Sequence, residues 1–140
     1  MGTQNSVEVS GIGTVYFSSG YMTWWAAKNW CSAIGKSMLK GSYLDCHKSG
    51  TSTAFTWTAE EVGLGCCCVG GGVTCDDTVD NQTSQMVSLR QIYDNYGKQF
   101  FWLADSFGSG EYTCMVYEVM LSAGRAHEDW RWNGNNALCK

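Results

Sequence analysis

Cysteine is the residue with the most chemical potential in this chain. Eight occur among 140 residues, at 31, 46, 66, 67, 68, 75, 114 and 139, and there is no proline. Two chemistries compete for them, disulfide formation and thiolate metal binding. An even count favours four disulfides and an oxidising compartment, although eight cysteines allow about a hundred pairings and spacing does not choose among them. A bridge between Cys31 and Cys139 would enclose nearly the whole domain and contribute roughly 4–5 kcal/mol on the chain-entropy account. The metal alternative uses Cys66-Cys67-Cys68, with Cys46, His47 and Cys75 nearby. Zinc ligands usually stand roughly two to four residues apart, so that the backbone can turn around a tetrahedron. Three adjacent cysteines do not suit that geometry. They are therefore assigned to disulfides with Cys46, Cys75 and Cys114, the last of these lying within a strand, and no metal or other cofactor is expected.

The remaining polar clusters are weaker. Asp76, Asp77 and Asp80 lack the alternating ligands and turn glycine of a calcium loop, so they read as a solvated acidic patch. His47 and His127 are the two histidines, and neither belongs to a recognisable nucleophile motif. Cysteine–histidine catalysis needs a free thiolate, which a disulfide withholds, so no enzyme is expected. Asn81-Gln82-Thr83 fits an N-glycosylation acceptor and carries no meaning in a cell without that machinery.

The C-terminal stretch is richer. From Arg125 to Trp132 one parity carries Arg125, His127, Asp129 and Arg131, the other Ala126, Glu128, Trp130 and Trp132. Asn133, Asn135 and Asn136 follow. One reading is an ordinary solvated face with both tryptophans in the core. The other is a ligand surface, because Trp, Tyr, Arg and Asn give large contact area and adaptable hydrogen bonds at modest entropic cost.

These residues must be positioned by a fold. Hydrophobic content of 44% fits a folded globule, and 140 residues make one domain, 1–140. A net charge of −4 with nine scattered basic residues argues against nucleic acid as a partner. No apolar run reaches membrane-span length. Residues 1–20 lack a basic start followed by an apolar segment, so a secreted form would already have lost its leader.

Val7 to Phe17 reads as one strand, bent or bulged at Gly11-Ile12-Gly13. Thr23 caps a helix whose apolar stripe is Ala27, Trp30, Cys31 and Ile34 and which ends at Gly35. From about 40 to 82 the periodicity dissolves into a disulfide-held insertion containing Phe55 and Trp57. A second helix opens at Thr83 or Ser84, presents Met86, Leu89, Ile92, Tyr93 and Tyr96, and closes at Gly97. Strands follow over Gln99 to Ala104, Tyr112 to Leu121, Arg125 to Trp132 and Asn135 to Lys140, with Ser122-Ala123-Gly124 as one turn. Asn133-Gly134 is a hairpin signal between the last two strands.

This order resembles the C-type lectin-like fold. Trp25, Ala27 and Cys31 on the first helix, Phe101-Trp102-Leu103-Ala104 on a central strand and Cys139 in Ala137-Leu138-Cys139 carry the resemblance. It implies an α+β domain with two helices packed on a twisted antiparallel sheet, and a Cys31–Cys139 disulfide. Ala26-Ala27-Lys28-Asn29-Trp30-Cys31 with the closing Ala-Leu-Cys is similar to secreted and pilin-associated bacterial members, some diversified by retroelements. Sugar-binding members hold calcium through a proline-containing motif and a Trp-Asn-Asp. Here there is no proline, and Trp132-Asn133-Gly134 stands instead, so calcium-dependent sugar binding is not expected.

The resemblance places binding residues in the C-terminal meander: Tyr112, Arg125, His127, Asp129, Trp130, Arg131, Trp132, Asn133, Asn135 and Asn136. The expected function is extracellular or cell-surface, non-catalytic recognition of a protein or glycan target. The alternatives are a self-assembling pilin-like subunit and, behind it, a zinc-thiolate domain.

Overall fold

The computed structural model describes residues 4–48, 51–57, 65–66, 82–107 and 114–140; the side chains of 65, 66 and 107 are not described. Cys67, Cys68, Cys75, Asp76, Asp77, Asp80, Asn81 and Tyr112 lie outside these residues, as does the Cys66 side chain.

The protein is α+β. Its strands are β1 (Gln4–Val9), β2 (Gly13–Met22), β3 (His47–Lys48), β4 (Gly65–Cys66), β5 (Phe100–Phe107), β6 (Met115–Met120), β7 (Arg125–Trp130) and β8 (Asn135–Cys139). Its helices are α1 (Trp24–Ala33), α2 (Ser84–Leu89) and α3 (Gln91–Tyr96), with a 3-10 turn at Gly41–Leu44. The strands form one sheet in the order β1-β2-β8-β5-β6-β7-β4-β3.

Strand alternation decides the layers. Successive residues of β5, β6 and β8 point to opposite faces. Phe101, Leu103, Tyr117, Val119 and Leu138 pack with Met86, Leu89 and Ile92 of the second helical segment. Trp102, Val116, Ala137 and Cys139 pack with Trp24, Ala27, Trp30 and Cys31 of α1. The central strands are thus buried on both sides. Thr23 caps α1 as expected, its Oγ1 accepting from Ala26 N at 3.3 Å. Trp24, rather than Trp25, joins Ala27 and Cys31 on the buried stripe, and Trp25 is exposed.

A Cys31–Cys139 disulfide joins α1 to the last strand across 108 residues, with the Cα atoms 5.6 Å apart. Cys46 is also disulfide-bonded. Cys114 is not: it carries a free, exposed thiol. It stands at an exposed turn before β6 instead of lying within the strand.

Four other expectations are corrected. Val7 to Phe17 is not one bent strand but a hairpin, β1 pairing with β2 in antiparallel register from Gln4↔Ser18 to Val9↔Gly13. Gly11, at φ 77°, supplies the left-handed residue that reverses the chain. The second helix is broken into α2 and α3 at Arg90, whose ψ of −19° departs from regular helix.

The sheet is also not wholly antiparallel. β5 and β8 run parallel, joined through Phe101↔Asn136, while β8 pairs antiparallel with β2 on its other side. Finally, Asn133-Gly134 does not make a two-residue hairpin. β7 and β8 are not neighbours, and neither turn residue has the positive φ that such a hairpin requires.

The segment after α1 is more integrated than an insertion. Phe55 enters the core, and both Phe55 and Trp57 meet Tyr117 edge-on at 5.6 and 4.9 Å. β3 and β4 extend the sheet beyond β7 through Cys66↔Arg125 and His47↔Cys66.

Candidate functional site

The β7–β8 turn is built on a buried polar brace. Glu118, in the middle of β6, is 4% exposed and lies directly across from His127 of β7. His127 Nε2 is 2.9 Å from Glu118 Oε1, and Asn135 Nδ2 donates to Glu118 Oε2 at 2.5 Å. The Asn135 amide also reaches Asp129 Oδ2 at 3.3 Å. Asp129 Oδ1 in turn accepts from Asn133 Nδ2 at 2.7 Å and from Trp130 N at 2.8 Å. β6, β7 and β8 are tied together at the point where the chain turns.

Burial raises the Glu118 carboxyl above its ordinary range, and the bond from His127 only partly opposes this. The hydrogen bond to Glu118 raises His127 in spite of its own burial. The second His127 nitrogen, Nδ1, faces the Glu128 carbonyl oxygen at 3.1 Å. Both partners can accept, so the two nitrogens donate together when the ring is protonated, the form that the bond to Glu118 favours. In that state it has no lone pair with which to take a proton from a substrate.

Above the brace, Trp130 and Trp132 stack with ring centroids 5.1 Å apart and planes 13° from parallel. They remain 42% and 55% exposed, so the core placement is excluded. Arg131 between them turns inward. Its guanidinium lies 4.4 Å from the Trp24 ring centroid and 3.4 Å from Ser106 Oγ. Its carbonyl accepts from Trp24 N at 2.8 Å, and its N–H donates to Cys114 O at 2.9 Å. That first bond sets the start of α1, with exposed Trp25, beside the turn. Tyr21, 64% exposed, approaches Gly134.

The expected site residues therefore separate. Trp130, Trp132 and Asn133 are at the surface, and Arg131 and Asp129 are half-buried supports. His127 belongs to the brace, and half-buried Arg125 lies at the far end of β7. Asn135 and Asn136 move from ligand surface to frame. Both are buried, and the Asn136 amide donates to the Ser18 and Gly20 carbonyls at 2.8 and 3.2 Å.

Tyr21, Trp25 and Glu118 were not among the expected site residues. Glu118 had a readable signal, a charge between Tyr117 and Val119 in an apolar strand. Tyr21 and Trp25 had none beyond their type.

Among the described residues, no group of three or more His, Cys, Asp or Glu side chains is placed to hold a metal. No helix among them is long and apolar enough to cross a membrane. Comparison with protein-family models, curated proteins and solved structures returned no match.

Proposed function

We propose that this domain is an extracellular, non-catalytic recognition module of C-type lectin-like type, binding a protein or glycan target through the aromatic face at the β7–β8 turn. The observation that carries this reading is the stacked Trp130–Trp132 pair. Two large apolar rings, about half exposed, contribute little to the core, yet the turn that carries them is held by a network running from buried Glu118 and Asn135 through half-buried His127 and Asp129 to Asn133 at the surface. Rigid aromatic rings on a pre-organised turn are what a binding surface needs, because little entropy is left to lose when a partner arrives.

The doubly engaged His127 supports a non-catalytic role. The disulfides support an oxidising environment. The lectin-like reading is supported by the bridge from α1 to the last strand and by the adjacency of the first hairpin to β8.

The test is a binding screen of the immobilised domain against panels of glycans and cell-surface proteins, followed by Trp130→Ala and Trp132→Ala. Each variant is expected to lose roughly 30-fold in affinity, the scale of a central aromatic anchor of about 2 kcal/mol. Val87→Ala, an exposed apolar change on α2, should leave affinity unchanged. Binding that survives both tryptophan variants would move the site elsewhere.

A further inference from the structure

A second surface has a different chemistry. Two adjoining cavities, of about 410 and 600 Å³, share a wall of Lys36, Ser37, Met38 and Lys40. The first extends along α1 past Lys28 and Ser32 to Trp24; the second runs past Tyr16 and Tyr43 to Lys140. Four of the nine basic residues of a chain with net charge −4 thus line one groove. Among the described residues, no carboxylate side chain lines it. Asp105, whose charge acts on Lys40, accepts from Gly41 N at 2.6 Å.

Three of the four lysines rest against aromatic rings. The Lys28 ammonium lies 5.5 Å from the Trp24 ring centroid, that of Lys36 4.9 Å from Tyr16, and that of Lys140 4.5 Å from Tyr43. Each contact is within cation–π range and restricts a long, flexible side chain without neutralising its charge. No ion pair among the described residues engages any of the four.

The backbone beneath is equally fixed. Lys36 N donates to Cys31 O, Ser37 and Lys140 exchange backbone bonds, and Leu39 N donates to Leu138 O. The Cys31–Cys139 bridge anchors both walls. Four like charges lining one groove repel one another, and an anionic ligand seated among them relieves that repulsion.

We infer that this groove is a second binding site, specific for an acidic oligosaccharide: a sugar chain bearing carboxylate or sulfate groups. The lysines supply point charges for its anions. Ser32, Ser37 and Ser106 hydroxyls and the edges of Tyr16, Tyr43 and Trp24 suit the sugar between them. A polyphosphate fits less well, because it offers no sugar rings to the aromatic side chains that line the groove.

The test uses isothermal titration of the intact, oxidised protein with a sulfated oligosaccharide, a uronate oligosaccharide, their neutral counterpart and an oligonucleotide of matched charge. At least one acidic sugar should bind, with affinity falling as salt rises, and the two acidic arms identify the preferred anion. The neutral sugar should not bind, and the oligonucleotide should bind at least about tenfold more weakly. Lys36→Gln/Lys40→Gln should lower affinity by about tenfold, the scale of two lost charge contacts. Lys36→Arg/Lys40→Arg should retain it, and Trp132→Ala should not affect it. Circular dichroism and thermal melting confirm that each variant is folded. The inference fails if neither acidic sugar binds, if the neutral sugar or the oligonucleotide binds equally well, or if the Gln variant binds like the parent.

Discussion

Replacing Cys31 and Cys139 together by alanine tests the architecture on which both surfaces depend. The bridge spans 108 residues. On the chain-entropy relation, closing a loop of that length removes about 16 cal/mol/K from the unfolded chain, or about 4.8 kcal/mol at 25 °C. A second crosslink inside the loop changes this little, because halving the effective length subtracts only about 0.6 kcal/mol. The whole stability of such a domain is about 5–15 kcal/mol, so the loss is a large share of it. Urea titration under oxidising conditions, which preserve the Cys46 bridge, is the assay. With a slope near 2 kcal/mol/M, the midpoint should fall by about 2 M. The slope itself should rise, since an untethered unfolded chain exposes more surface. A midpoint shift below about 0.5 M, with an unchanged slope, would refute the reasoning.

Two further predictions follow from the titrating and thiol groups. His127 is raised above its ordinary value of about 6.5, so the stability it contributes is complete below that pH and is lost as pH rises through the folded-state value. Glu118 is raised as well and contributes with the same sign at lower pH, above its ordinary carboxylate value. The melting temperature should therefore decline from pH 6 to 8.5 and His127→Gln should flatten the decline; a rising melting temperature would contradict the pairing. For the thiols, native alkylation should label Cys114. With one of eight cysteines free, no more than three intramolecular disulfides can form, so reduction should add at most six hydrogens to the intact mass, and a gain of eight would show that Cys114 is bonded.

How much of this was readable depended on the range of the interactions. The α1 stripe of Ala27, Trp30 and Cys31 and its Thr23 cap were legible because both are set by neighbours within two turns. So was the apolar alternation of Tyr117, Val119 and Leu121. Pairing partners were not. Asn133-Gly134 signals a hairpin locally, but β8 is drawn between β2 and β5 by the burial of Ala137, Leu138 and Cys139 on both faces. The same long-range pairing converted Asn135 and Asn136 from expected ligand-surface residues into buried bracing amides. The lysine groove was invisible for a related reason. Lys28, Lys36, Lys40 and Lys140 are scattered singly along the chain and line one groove because residues 37–39 pair with the chain at 138–140, beside α1.

β8 accounts for both surfaces at once. It begins at Asn135, which braces the tryptophan turn, and ends at Cys139, where the disulfide sets the wall of the lysine groove. All five of its residues are buried, and neighbouring strands hold it on both sides. Moving either end would disturb packing on both faces of the sheet, and close-packed interiors resist such displacement. The strand is therefore a fixed strut rather than a lever. Loss of the bridge should loosen the groove end before it disturbs the turn, because Glu118 and Asp129 hold Asn135 independently of the sulfur. On the proposed reading, the aromatic and lysine-lined surfaces, held apart by a rigid strand, would engage two chemically different ligands without a conformational change passing between them. That proposed arrangement would separate electrostatic attachment at the groove from aromatic selection at the turn.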